Sequence, residues 1–166
     1  MKKILMLGSA LALAIGLTAC SDKEDKASGN KETAKEEKTD VSGSLLDFYL
    51  NLKAKVNAKD SDLNAYEGSE TTPPAEAKSK AAASAEAVAA EIKTVTVPAD
   101  LKGQKSDLEA ALKDFTDSYT AKAEELKKDK PSLDAANETF TKGEEKLKKV
   151  FEGQKLVAPT FSAELQ

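Results

Sequence analysis

The sequence predicts an all-α protein, an antiparallel up-down-up-down four-helix bundle behind a disordered tether. Three observations predict it. Apolar residues recur at steps of three and four through four successive segments. Glycine, proline and polar residues interrupt the pattern between segments. The one β-leaning run, Thr94-Val95-Thr96-Val97, is short and stops at Pro98, which makes it a connector rather than a strand. Helices of roughly twenty residues are ~30 Å long. The alternative is a three-helix bundle with a loosely packed alanine-rich helix. No repeat of fixed period suggests a solenoid.

The first segment carries the stripe Leu45, Tyr49, Leu52, Val56, Leu63, Tyr66, with Lys59 in the slot between Val56 and Leu63. Leu46 and Phe48 widen it, as for a helix facing a core. Ser44 is the expected cap, with Asp47 three residues on, and Gly68 the expected stop. Thr72-Pro73-Pro74 opens the second segment, a cap followed by proline in the first turn. Its stripe is Ala81, Ala85, Val88, Ile92 and Val95. Alanine favours helix and lets neighbours approach closely.

A capping box, Ser106-Asp107-Leu108-Glu109, marks the third segment, and Leu101 allows a start one turn earlier. The stripe runs Leu108, Leu112, Phe115, Tyr119, Lys122, Leu126 and ends at Asp129-Lys130-Pro131. The fourth has the cleanest pattern: Leu133, Ala136, Phe140, Gly143, Leu147, Val150, closed by Gly153. The bundle therefore spans 42–155. A tail, 156–166, holds Leu156, Val157, Phe161 and Leu165; Pro159 keeps it irregular and it is expected on the outside of the helices. Exposed Phe161 and Leu165 would offer a surface for pairing with another chain.

At the other end, Lys2 and Lys3 precede an apolar run from Ile4 to Leu17, closed by Leu17-Thr18-Ala19-Cys20. That order is charged, apolar and small, as in a secretory signal peptide. The run is short of the ~20 apolar residues a spanning helix needs. Cys20 is the only cysteine, so no internal disulfide forms. The Leu-Thr-Ala-Cys ending resembles the lipobox of bacterial lipoproteins. The resemblance implies that residues 1–19 are removed and that Cys20 becomes the diacylated first residue. It also implies an extracytoplasmic, membrane-anchored location. Ser21, rather than aspartate, follows the cysteine, which would allow export to the outer membrane in a Gram-negative envelope. The helical segments resemble those of helical bacterial lipoproteins such as the YiiG-like group.

Between Ser21 and Val41 there is no large apolar residue, so the stretch cannot offset the entropy of ordering. Residues 20–41 are expected to be the lipidated cysteine and a tether, ~25 Å as a coil and at most ~70 Å extended. All 25 basic residues are lysine, and there is no histidine, arginine or tryptophan. Without the leader's two lysines, 23 lysines face 29 acids, a net charge of −6. The absence of histidine removes imidazole bases, imidazole metal ligands and Ser-His or Cys-His couples. The absence of arginine removes bidentate phosphate recognition. An acidic balance with no basic stripe argues against a nucleic-acid partner.

Asp60-Ser61-Asp62-Leu63-Asn64 resembles the start of a calcium loop, but the positions that need glycine and glutamate hold Ala65 and Thr71. The acid pairs Asp114/Asp117, Glu124/Glu125 and Glu144/Glu145 fall off the apolar stripes beside lysines, as solvated faces do. Lys59 and Lys122 each stand fourteen residues after the first slot of their stripes, Leu45 and Leu108. In an up-down bundle they lie at one level, either as stems with heads reaching water or as two ammonium groups around an anion. Gly143 leaves room for a ring such as Tyr49 or Phe115. Asn137-Glu138-Thr139 matches a glycosylation acceptor, which means little in a bacterial chain. The functional expectation is a non-enzymatic binding or scaffold module at the cell envelope. Its partners would be the membrane, through the anchor, and a protein or cell-wall polymer. No cofactor or metal is expected. The alternative is a carrier of a small anionic ligand using the bundle interior around Lys59, Lys122 and Gly143.

Overall fold

The computed structural model describes residues 41–165. The expected signal segment with Leu17, Thr18 and Ala19, the expected anchor Cys20 and the expected tether up to residue 40 lie outside the described residues. Among the described residues the chain is all-helical. The helices are α1 (Ser42–Asn57), α2 (Ser61–Glu67), α3 (Ala75–Ile92), α4 (Lys105–Glu125), α5 (Asp134–Gly153) and α6 (Phe161–Glu164). A single 3-10 turn, Ala99–Leu101, precedes α4 and buries Leu101 completely.

Side-chain contacts fix the directions. Lys55 meets Glu91, Lys59 meets Ser84, and Leu63 meets Ser84, so α1 and α2 run antiparallel to α3. Lys78 Nζ, early in α3, donates to the Lys128 carbonyl just past α4, while Ile92 at the end of α3 lies beside Glu109 and Leu112 early in α4, which sets α3 antiparallel to α4. Ser118 Oγ donates to the Ala136 carbonyl at 2.7 Å and Lys146 pairs with Asp114, so α4 and α5 are also antiparallel. Tyr49 against Phe151 places early α1 beside late α5.

Most of the expected stripe residues form the core, but Leu46, expected to widen the first stripe, is half exposed. Leu45, Tyr49, Leu52, Val56 and Leu63 are buried, as are Leu108, Leu112, Phe115, Tyr119, Lys122 and Leu126. On α3, Ala81, Ala85, Val88 and Ile92 are buried against three neighbouring helices. The alanine-rich helix is thus an integral strut, which overturns the loosely packed alternative. Its small side chains let α1, α2 and α4 all approach it.

The first segment, read as one helix, is two. The α-helical ladder stops at Asn57, and Lys59 and Asp60 both donate back to the Val56 carbonyl, at 2.9 and 3.1 Å. Ser84 of α3 replaces the lost partners: its Oγ donates to the Lys59 carbonyl at 2.5 Å and accepts the Leu63 N–H at 3.3 Å. Asn57 and Asp60 favour such breaks because their side chains compete with the helix backbone. Ser44 does not cap α1, which begins at Ser42 with Val41 as the capping residue; Ser44 Oγ instead lies 3.4 Å from Asp100 Oδ2.

The end of α5 is also displaced. Gly153 is the last helical residue, and the reversal occurs at Lys155, with φ of 61°. The Leu156 N–H donates back to the Phe151 carbonyl at 3.0 Å, the bond that closes a Schellman turn.

The tail is not an outer layer. Phe161 is 1% exposed and packs with Phe115 and Phe140 at centroid distances of 4.9 and 5.9 Å, and with Tyr49 at 5.8 Å. The expected exposed pairing surface at Phe161 is therefore absent: the ring closes the core of its own chain. Lys53 Nζ to Glu164 Oε2, 2.8 Å, fastens the tail to α1.

Candidate functional site

The breaking of the first segment matters for the site, because it turns α2 toward α4 and α5. Glu67 sits on the last turn of α2 and Lys122 near the end of α4, and their side chains meet at 2.7 Å. Lys122 is the buried partner, its side chain 8% exposed against 29% for Glu67. Its ammonium lies 5.6 Å from the Tyr119 ring centroid and 5.9 Å from that of Phe140. A cation over aromatic faces is attracted by the ring quadrupole. Lys122 thus keeps the helical slot the sequence assigns to it, and one carboxylate together with two rings accommodates its charge.

Beside this pair opens a cleft of about 260 Å³. Asn64 and Glu67 of α2, Tyr119 and Lys122 of α4, Asn137 and Glu144 of α5 line it, with Leu165 of the tail closing one side. Glu144 accepts the Ser162 N–H at 2.6 Å, so the acid that lines the cleft also holds the tail in place.

Asp60 lies in the break between α1 and α2. It is fully buried, and neither carboxylate oxygen has a hydrogen-bond partner. Burial pushes its carboxyl pKa above the ordinary carboxylate range; the nearby Asn64 amide and the backbone N–H of Asp60 itself oppose this. The Asn64 Nδ2 is likewise buried without a hydrogen-bond partner. Burial also drives the Tyr119 hydroxyl far above its usual range, and the Asp60 and Glu67 carboxylates add to the effect. Two carboxylates thus act on the one buried phenol.

Lys59, Lys122 and Gly143 do not converge. Lys59 is exposed at the helix break, while Lys122 is buried on Glu67, so the two lysines share no site. At Gly143 a Cβ would stand 2.8 and 2.9 Å from the Phe115 ring carbons Cε1 and Cδ1. The space is filled by that ring, one of the two the sequence pointed to. Of the three, only Lys122 lines the cleft.

The remaining candidates are surface features. Asp62 is exposed and Asp60 buried, on opposite sides of the α2 start, so the calcium-like run does not gather its acids. Asp117 pairs with Lys113 and Glu125 with Lys128 at local spacing, as the solvated-face reading expects, whereas Asp114 is mostly buried and pairs with Lys146 across two helices. Among the described residues no three histidine, cysteine, aspartate or glutamate side chains group to hold a metal ion. No described helix is long and apolar enough to cross a membrane.

Sequence reasoning missed Glu67 and Asp60 as site residues. Glu67 follows the last stripe residue, Tyr66, and reads as surface. Asp60 reads only as the first position of a calcium-like run, not as a buried carboxylate. The available signal was the run Asn57-Ala58-Lys59-Asp60, four residues without a large apolar side chain inside a supposed helix. No protein-family model, curated protein or solved structure matches the chain.

Proposed function

We propose that this protein is a lipid-anchored, extracytoplasmic and non-enzymatic module that binds or scaffolds a partner at the bacterial cell envelope. The antiparallel pairings read as an up-down-up-down four-helix bundle whose first strut is α1 followed by α2. The observation that carries the reading is the spacing at the N-terminus. Leu17-Thr18-Ala19-Cys20 closes a charged-then-apolar leader, and a polar stretch about twenty residues long separates it in sequence from Ser42, where the first described helix starts. Two acyl chains on Cys20 would give stable anchoring, where a single chain is marginal. The tether then lifts the helical domain clear of the headgroups. The filled aromatic core favours a partner on the outer surface, either a protein or a cell-wall polymer, over a ligand sealed between the helices.

Metabolic labelling with an alkyne fatty acid in bacteria making the full chain tests the anchor. Label on the wild-type chain, its loss in Cys20→Ala and release of that variant from membranes are expected. An unlabelled wild-type chain that fractionates with soluble protein overturns the reading. Crosslinking in intact cells, with Cys20→Ala as control, then separates an anchored scaffold from a freely diffusing binder.

A further inference from the structure

We propose that the cleft between α2, α4 and α5 binds a small zwitterion of amino-acid size, with a carboxylate and an ammonium group close together. This goes beyond the anchored-scaffold reading and does not rest on it. The charge pattern of the walls carries the argument. Lys122 supplies one cationic head at the base, and Glu67 and Glu144 supply two carboxylates. A ligand bearing only a carboxylate meets a site whose acids outnumber its single ammonium. A ligand bearing only an ammonium meets Lys122. A zwitterion satisfies both signs at once.

Hydrogen-bond supply agrees. An ammonium has three N–H donors, and the contact to Glu67 engages one of them. The other two are available to a carboxylate. Glu144, which lines the cleft and accepts the Ser162 N–H through one oxygen, supplies the carboxylate for the ligand's ammonium. Leu63, Phe140 and Leu165 give an apolar wall for a short side chain. The volume of about 260 Å³ lies below the range of sites for drug-sized ligands, and suits a ligand with few heavy atoms.

The test is a titration of isotope-labelled full-length protein in detergent micelles, read by NMR at the side-chain amides of Asn64 and Asn137. The probes are L-alanine, acetate and methylammonium. Saturable shifts with L-alanine are expected, with binding at least about tenfold weaker for either half-ligand. Lys122→Met and Asn137→Ala should each weaken L-alanine binding about tenfold; Asn137 is exposed, so its variant keeps the test valid if Lys122→Met unfolds. Absence of saturation by L-alanine overturns the proposal. So does equal saturation by acetate alone or methylammonium alone, or L-alanine binding unchanged in Asn137→Ala and in any folded Lys122→Met. The readout is independent of acylation, so it fails or succeeds separately from the anchor.

Discussion

The backbone of Gly143 is the seat of the Phe115 ring: a Cβ at 143 would stand 2.8 Å from Cε1 of that ring. Phe115 cannot move aside easily, because Phe140 and Phe161 pack on it at 5.0 and 4.9 Å. Glycine costs about 1 kcal/mol of helix propensity against alanine, yet overpacking a filled core costs about 1–3 kcal/mol. Gly143→Ala should therefore destabilise by about 1–2 kcal/mol in denaturant unfolding. In a Phe115→Leu background the same substitution should become neutral or stabilising. A Gly143→Ala variant that is stabilised in both backgrounds would show that the ring and the glycine are not coupled.

Lys122 and Glu67 should respond unequally. Glu67→Gln leaves the Lys122 charge buried without its carboxylate and should cost about 1–3 kcal/mol. Lys122→Met keeps the stem against Tyr119 and Phe140 and removes the desolvated charge, so it should lie within about 1 kcal/mol of wild type or be stabilising. Thermal melts of the two single variants and the double variant check this. The double variant should resemble Lys122→Met alone.

Asp60 should make stability depend on pH in a defined direction. Its carboxyl titrates near 3.8 when the chain is unfolded and above that when folded. The folded state therefore favours the protonated form. This group's contribution is fully present below pH 3.8 and is lost as pH rises through the folded value. Asp60→Asn should match wild type under acid conditions and exceed it at pH 7 by about 1–3 kcal/mol. Urea unfolding of both proteins across that range is the measurement. A difference that does not change with pH would count against the buried, partnerless carboxylate.

Lys155 occupies a left-handed conformation that favours glycine. The conformation costs a non-glycine residue about 1–2 kcal/mol. Lys155→Gly should stabilise the protein, by less than this because glycine also frees the unfolded chain. Gly153→Ala should also be tolerated, since nothing lies within 4 Å of a Cβ there. Denaturation midpoints of the two variants test whether the reversal belongs to residue 155.

Phe161 should behave as a core residue despite its place in the tail. Phe161→Ala should cost about 3–5 kcal/mol, the range for a buried ring. Glu164→Gln, which removes the charge facing Lys53 at a more exposed position, should change stability by less than about 1 kcal/mol. If the two variants have equal effects, the tail is held by its ion pair and not by the ring.

The four stripes were legible because a helix of 3.6 residues per turn must place its apolar residues on one face. Lys122 was legible as an inward slot for the same reason, and Gly143 as a space for a ring. Lys59 was misplaced because periodicity assumes an unbroken helix. Ser84, on another helix, supplies the hydrogen bonds that make the break tolerable. Phe161 was misplaced because Pro159 and weak periodicity suggested an outer tail, while the space between Tyr49, Phe115 and Phe140 remained to be filled.

The sequence by itself determined the helical class, most of the core-facing residues and the lipobox-like ending at Cys20, since each is a matter of local spacing or residue type. Only the tertiary structure decided that Asp60 is buried, that Glu67 meets Lys122, and that the tail ring completes the core. Those three depend on how separate helices are placed against one another. A side chain's partner and its solvent access are set by neighbours distant in sequence, and no local pattern encodes them.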